Sequence, residues 1–182
     1  MKELSLYVLD IFNNSLSANS SLIRIIVNIQ KNRLKLKITD NGCGMSKAFL
    51  KSVKDPFSTT RTNRKVGMGL ALFSQLIEMC DGRFAIYSKE KVGTCIKADF
   101  PLSHIDAPPM GDMTESLSVM AASLPEKCDL IYIHKVDDNV LCFDTRQIRE
   151  TLGDEIPLNE PSVFQWIKAY LNSEFEKLTG EI

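Results

Sequence analysis

The N-terminal stretch carries apolar side chains at the spacing of an amphipathic helix. The apolar positions recur at i, i+3, i+4, i+7 and i+8, which predicts a helix over about residues 2–18. Residues 22–29 are mostly β-branched and apolar, and residues 34–39 alternate apolar with polar, so both segments are predicted strands. The polar run QKNR between them predicts a hairpin turn. The helical stripe consists of Leu4, Tyr7, Val8, Ile11 and Phe12.

A second group of elements is predicted between residues 40 and 101. Residues 40–68 show little periodicity apart from a short helix near 46–53. Apolar residues at helical spacing then predict a firm helix over 69–80, with a glycine placed to end it. Two strands, separated by the charged turn KEKVG, are predicted at 83–88 and 94–100.

Prolines and a glycine set the rest of the chain apart. Residues 104–112, HIDAPPMGD, are predicted to form a linker. Beyond it, the patterns predict a helix at TESLSVMAASL, a hairpin over LIYIHKVDDNVLCFDT and a final amphipathic helix at SVFQWIKAYLNSEFEKL. We therefore expect one domain at 1–103 and a small folded α+β extension at 113–182.

Charge divides the chain at the same place. The overall formal net charge is −1, but residues 1–103 carry a net +8 and residues 104–182 a net −9. The near-neutral total argues against a general polyanion-binding protein, so no nucleic-acid partner is expected. Two roles stay open for the acidic extension: a partner-docking subdomain, or a cover that folds back on basic residues.

Neither a membrane partner nor a secretion signal is expected. No stretch approaches the ~20 apolar residues that span a bilayer, and acidic residues and asparagines interrupt the N-terminus. Five widely spaced cysteines without a CxxC pair argue against a disulfide framework or a zinc site. We expect a cytoplasmic protein, and its oligomeric state stays open.

Asp10 and Asn14 are the first candidate site residues. Their i, i+4 spacing places both on one side of the predicted first helix. The carboxylate could position a water molecule, and the amide oxygen could bind Mg²⁺, a hard cation that prefers oxygen ligands. The alternative is a solvated polar face of the helix.

Asp40 opens the second candidate motif, DNGCGM, directly after a predicted strand. Its carboxylate can accept a hydrogen bond from an exocyclic amine such as that of adenine. Gly42 and Gly44 would let the backbone turn sharply and lie close to a flat ligand. Asp-Asn-Gly is also ordinary turn chemistry, so the motif alone leaves both interpretations open.

Two further segments suit phosphate groups. Residues 47–65 contain six basic residues and one acidic residue, and they include DPFSTTR. This composition is typical of a lid over phosphates or of a basic surface loop. Residues 66–70, VGMGL, form a glycine turn into a helix whose N-terminal N–H groups could receive phosphate. Their spacing matches neither a P-loop nor the dinucleotide-binding glycine motif.

Taken together and in order, these motifs resemble the ATP-binding domain shared by gyrase, heat-shock chaperones, histidine kinases and mismatch-repair ATPases, the GHKL or Bergerat-fold superfamily. DIFNNSLSA resembles its N box, DNGCGM its first glycine box, DPFSTTR its F box and VGMGLAL its second glycine box. The segment from residue 55 to DGRFAIYSKEKVGTCIKADFPL most resembles a histidine-kinase catalytic domain. The resemblance implies an α+β fold, a two-layer α/β sandwich with helices on one face of a mixed sheet.

The resemblance also assigns roles to individual residues. Asn14 would coordinate Mg²⁺ bridging the phosphates of ATP, and Asp40 would bind the adenine amino group, with Thr94 beside it. The other residues that it places at the nucleotide shape the base pocket, form the lid or receive phosphates: Ala18, Gly42, Gly44, Met45, Phe57, Thr60, Arg61, Gly67, Met68, Gly69 and Leu70.

Asp10 departs from the pattern of the hydrolytic members, which place a glutamate there as general base. We predict Asp10 as the catalytic carboxylate, with a reach one methylene shorter. The resemblance begins at the start of the chain, so no phosphoacceptor domain is expected upstream. The two histidines, His104 and His134, are expected to be structural or solvated.

We therefore expect an ATP- and Mg²⁺-binding, histidine-kinase-like regulatory protein. It would phosphorylate or regulate an unidentified protein partner, and the partner would supply the accepting serine or histidine. Two alternatives stay open. One is a non-catalytic switch in which ATP orders the lid for partner binding, and the other is a slow stand-alone ATPase.

Overall fold

The structure is a computed structural model, and it describes residues 3–53, 69–153 and 156–180. No helix within these ranges is long and apolar enough to cross a membrane. The elements of these ranges, in chain order, are α1 (Leu4–Ser17), β1 (Leu22–Gln30), β2 (Arg33–Asp40), α2 (Lys47–Val53), α3 (Gly69–Met79), β3 (Arg83–Lys89), β4 (Gly93–Pro101), α4 (Met113–Ala122), β5 (Asp129–Val136), β6 (Asn139–Asp144), α5 (Thr145–Leu152) and α6 (Pro161–Thr179).

These strands form a single mixed sheet in the order β3-β4-β2-β1-β5-β6. Neighbouring strands are antiparallel except β1 and β5, which run parallel. The β5–β6 hairpin of the predicted extension therefore continues the sheet of the N-terminal segment. The fold is α+β, with a mixed sheet and a helical layer, as the sequence predicted.

Alternate residues of every strand pack against the helical layer. Ile25 pairs with Ile38 on one side and with Tyr132 on the other, and Ile38 pairs in turn with Ile96. All four side chains are buried, and α1, α3, α4 and α6 contribute apolar side chains to the same cluster. Because burial of each such side chain contributes about 1.5–3 kcal/mol, this shared core stabilises both halves of the chain together.

The predicted linker, residues 104–112, runs to the start of α1. The backbone N–H of Leu4 donates to the carbonyl of Pro109 over 2.8 Å, and that of Ser5 donates to the carbonyl of Met110 over 3.0 Å. These bonds satisfy two of the N–H groups that a helix N-terminus leaves unpaired. The division of the chain into a domain at 1–103, a linker at 104–112 and an extension at 113–182 stays a prediction.

Helix α5 is the element that the sequence analysis did not predict. Asp144 caps it, because its carboxylate accepts a hydrogen bond from the backbone N–H of Arg146 at 3.0 Å. Ile148, which is buried, and Leu152, which is partly buried, lie one turn apart and pack on the core. A strong cap and one apolar pair are sufficient for a short helix when the neighbouring sheet buries its inner face.

Candidate functional site

Asp10 and Asn14 lie one turn apart on α1, and the start of α3 lies against Asp10. Asp10 is exposed, and it is so close to Gly69 that a Cβ on this glycine would overlap the carboxylate Oδ2. Asn14 is half-buried, and no described residue hydrogen-bonds its side-chain amide. Both side chains therefore keep oxygen atoms available on the same side of α1.

Asp40 ends β2 on the helix-covered face of the sheet, and both of its carboxylate oxygens are held. The backbone N–H of Gly42 donates to Oδ1 at 2.9 Å. The buried Ser15 hydroxyl lies 3.1 Å from Oδ2 and 3.2 Å from the carbonyl of Ile11. Its single proton can serve one acceptor at a time, and the charged oxygen is the stronger acceptor. The carboxylate thus has a fixed orientation.

The turn after Asp40 is hydrogen-bonded to the end of α1. Ala18 is the C-cap of α1, and its carbonyl accepts a hydrogen bond from the N–H of Cys43 at 2.9 Å. Gly42 is buried against Ala18, and an added Cβ would lie 2.7 Å from the Ala18 Cβ. Gly44 has a φ of +65°, in the left-handed region that favours glycine. The glycines of DNGCGM therefore allow this turn to pack against helix and sheet.

Thr94 is the direct cross-strand partner of Asp40, so both side chains lie on the helix-covered face. Its Oγ1 lies 2.9 Å from the hydroxyl of Ser88 on β3. That hydroxyl accepts a hydrogen bond from the backbone N–H of Met45 at 2.9 Å. The turn, β3 and β4 are thereby joined beside Asp40.

Gly69 and Leu70 form the first turn of α3, but they differ in what they expose. The Leu70 side chain is buried in the core, so only the backbone of this residue is available to a ligand. The first N–H groups of a helix have no intrahelical partner, and the helix dipole makes this end attractive to anions. The carboxylate of Asp10 lies at this end.

The remaining predicted site residues lie outside the described ranges: Phe57, Thr60, Arg61, Gly67 and Met68. The structure brings the other ten together around the C-terminal half of α1, the end of β2 and the starts of β4 and α3. Two residues that the sequence analysis missed, Ser15 and Ser88, connect them. A separate apolar groove of about 590 Å³ between β6, α5 and α6 contains none of the predicted residues.

The chemistry of this donor set suits ATP with Mg²⁺. The Asp40 carboxylate is an acceptor for an amine, the start of α3 offers donors for phosphate, and Asn14 offers an amide oxygen. Among the described residues, no group of three or more His, Cys, Asp or Glu could hold a metal ion. A cation at Asn14 would therefore take most of its ligands from phosphates and water, as Mg²⁺ commonly does.

Comparison with known families agrees with the fold and the motifs. Residues 2–104, more than half of the chain, match the family described as histidine kinase-, DNA gyrase B- and HSP90-like ATPases. The chain belongs to this family. It thereby joins a class of ATP-binding domains that includes histidine kinases.

The similar proteins are much longer than the matched segment. The chain is 38% identical over 94 residues to a protein of Shewanella frigidimarina described as a sensor protein, which covers 51% of this chain and 14% of that protein. It is 32% identical over 72 residues to the sensor protein DegM of a Bacillus species, covering 40% of this chain and 19% of the relative. The matched segments therefore span less than a fifth of these curated relatives.

A solved structure of the catalytic domain of the histidine kinase ThkA is also similar. The match has a TM-score of 0.35 and 19% sequence identity, and it covers 43% of this chain and 51% of that chain.

Proposed function

We propose that this protein binds ATP with Mg²⁺ and acts as a histidine-kinase-like regulator of a protein partner. The nucleotide part rests on the Asp40 carboxylate, which Ser15 and the Gly42 N–H hold by one oxygen each. Each oxygen keeps a further lone pair, and an ionised carboxylate only accepts hydrogen bonds. A ligand group at this position must therefore be a donor, as the adenine amino group is.

Discrimination between ATP and GTP tests the role of Asp40. Guanine has a carbonyl oxygen where adenine has its amino group, so acceptor would face acceptor. A hydrogen bond to a charged group contributes about 1.5–3 kcal/mol, so we expect ATP to bind about ten- to a hundredfold more tightly than GTP. Titration calorimetry measures both affinities. Equal affinities would contradict the role of Asp40 while leaving nucleotide binding in place.

The phosphates would lie between α1 and the first turn of α3, with Asn14 as the protein ligand to Mg²⁺. By resemblance, the lid that contains Phe57, Thr60 and Arg61 would close over them. The proposal includes a cytoplasmic location, where ATP is abundant and thiols stay reduced. All five cysteines of the chain are free, which agrees with that compartment.

The surroundings of the two histidines support a phosphoacceptor on a partner. His134 is 3% exposed, which leaves no access for a phosphoryl donor. The ring nitrogens of His104 lie 3.8 Å from carboxylate oxygens of Asp81 and Asp106, and these negative groups would repel a phosphoryl group. Neither histidine is therefore a suitable acceptor, which agrees with the proposal that a partner supplies the accepting serine or histidine.

Phosphoryl transfer can be tested with γ-labelled ATP and Mg²⁺ in a cell extract, where we expect a specific protein to become labelled. With Asp10→Asn we expect labelling and phosphate release to fall by about a hundredfold or more, because a general base contributes about 10²–10⁴-fold. The matched control is Asp137→Asn, which removes a carboxylate from the exposed β5–β6 turn. It should change neither rate.

The contact between Asp10 and α3 favours a second candidate function. A carboxylate at a helix N-terminus stabilises that helix, so Asp10 has a structural role that needs no chemistry. In that case ATP would act as the ligand of a non-catalytic switch. Tight ATP binding without phosphate release would support the switch. Release that Asp10→Asn leaves unchanged would exclude Asp10 as a base and support a slow ATPase.

A further inference from the structure

The strand residues that point away from the helices form a basic surface. They alternate along each strand with the buried residues of the core, so they lie on the opposite face of the sheet. Asp40 and Thr94 belong to the helix-covered face, which separates this surface from the candidate nucleotide site. Six exposed cationic side chains on this surface define what we call the basic face: Arg24, Lys35, Lys37, Arg83, Lys97 and Lys135.

Two lysines of the basic face oppose each other directly. Lys37 on β2 is the cross-strand partner of Lys97 on β4. Like charges in this position destabilise a sheet, and within the described part of the chain no carboxylate lies within ion-pair distance of either ammonium group. An electrostatic cost to folding that no ion pair offsets is typical of a surface that serves binding.

The carboxylates on the same face are already occupied. Asp99 pairs with Arg33 at 2.7 Å, Asp129 with Arg149 at 3.2 Å and Asp144 with Arg146 at 2.5 Å. These carboxylates could neutralise the basic face only if their present ion pairs were broken. The positive charge is therefore available to another molecule.

Apolar side chains lie among the cations of the basic face. One row across the sheet runs from Ala85 through Lys97, Lys37 and Ile26 to Ile133. A depression of about 470 Å³ follows part of this row, with Ile26 and Ala85 among the residues that line it. Apolar side chains therefore flank the two central lysines, and such a mixture of apolar and charged groups is found at protein–protein interfaces.

We propose that the basic face docks an acidic protein surface, one with carboxylates placed beside apolar side chains. Charge complementarity to the unpaired lysines and arginines would give recognition and fast association. The apolar row would supply the contact area between them. This docking site lies outside the nucleotide site and does not depend on the proposed nucleotide function.

A protein is favoured over nucleic acid as the occupant of the basic face. Single-stranded nucleic acid binds through aromatic side chains on which bases stack, as well as through cations. The described aromatic residue on this face is Tyr87 at its margin, and the Lys97 ammonium already lies 5.6 Å from the centre of that ring. The apolar side chains that flank the central lysines are aliphatic, and they suit a protein surface.

Fluorescence anisotropy with two labelled probes tests the proposal. One probe is a helical peptide with glutamates around a leucine stripe, and the other is single-stranded DNA of equal charge. We expect the peptide to bind the 182-residue chain, and the double variant Lys37→Gln/Lys97→Gln to weaken binding about tenfold. Because the like-charge pair is removed, the variant should melt at the same temperature or higher, and its ATP affinity should not change.

The matched control is Lys31→Asn/Lys127→Gln, which removes the same charge from exposed positions outside the basic face. Lys31 has a φ of +50°, a conformation that asparagine adopts readily. The control should bind the peptide within about twofold of the unmodified protein. Absent peptide binding, equal weakening by both variants, or tighter binding of DNA than of the peptide would each overturn the proposal.

Discussion

Replacement of Asp40 by asparagine is expected to abolish ATP binding, with a loss of affinity of about a hundredfold or more. The substitution removes the charge that receives the adenine amine and replaces one of the two acceptor oxygens with an NH₂ donor, which cannot accept a hydrogen bond from the amine or from the Gly42 N–H. A buried donor without an acceptor costs about 1–3 kcal/mol, in addition to the lost charged hydrogen bond. Titration calorimetry with ATP and Mg²⁺ measures the change.

Asp99→Asn is the matched control for Asp40→Asn. Asp99 is a carboxylate of the same sheet, but it lies on the opposite face, where it pairs with Arg33. Its replacement should leave ATP affinity unchanged and lower stability only slightly, because exposed ion pairs contribute about 0–1 kcal/mol. Unfolding curves of both variants should confirm that each is folded. Retained ATP affinity in Asp40→Asn would contradict the assignment of the nucleotide site.

The local motifs predicted much of the candidate site, and the serines that connect it were missed for a physical reason. Ser15 lies on the buried side of α1, four residues after Ile11, where the helical stripe otherwise carries apolar side chains. A polar residue on a core-facing side needs a partner, and that expectation alone could have indicated it. Its partner, Asp40, lies 25 residues away, and local spacing does not show this pairing.

In the sheet, too, the sequence pattern predicts local structure but not the pairing of distant segments. The predicted strands of residues 1–103 agree with the observed ones to within a residue or two, because alternation along one strand is a local signal. The parallel pairing of β1 with β5 brings together segments more than 100 residues apart. Leu130, Ile131 and Tyr132 are consecutive and all buried, which is typical of a central parallel strand. This run was the available signal that β5 joins the main sheet.

Acidification is expected to destabilise the protein through His134, which lies on β5. Burial lowers the pKa of this histidine from 6.5 to about 4. Its Nδ1 lies 2.8 Å from the Tyr132 hydroxyl, and its buried Nε2 has no hydrogen-bond partner among the described residues. Among the described residues, no carboxylate lies within ion-pair distance of the ring to compensate a positive charge. The neutral ring is therefore strongly preferred in the folded state.

The direction of the pH effect on stability follows from the pKa of His134 in the unfolded chain and in the folded protein. Between about pH 6.5 and 4 the unfolded chain binds the proton and the folded protein does not. The contribution of His134 is thus fully present above about pH 6.5 and decreases as the pH falls. We expect a loss of about 2 kcal/mol by pH 5 and about 3 kcal/mol below pH 4, relative to pH 7. Urea unfolding at pH 7 and at pH 5 measures the difference.

Two variants separate His134 from the other titrating groups. Tyr132→Phe/His134→Leu removes the ring together with the hydroxyl that would otherwise lose its partner. Its loss of stability between pH 7 and pH 5 should be about 2 kcal/mol smaller than that of the unmodified protein. His104→Gln replaces the other histidine and measures the share of that residue in the loss. An equal loss in the unmodified protein and the Tyr132→Phe/His134→Leu variant would exclude His134 as the cause. The acid sensitivity would then come from paired carboxylates such as Asp144. The hydrogen bond from Arg146 lowers the pKa of that carboxylate.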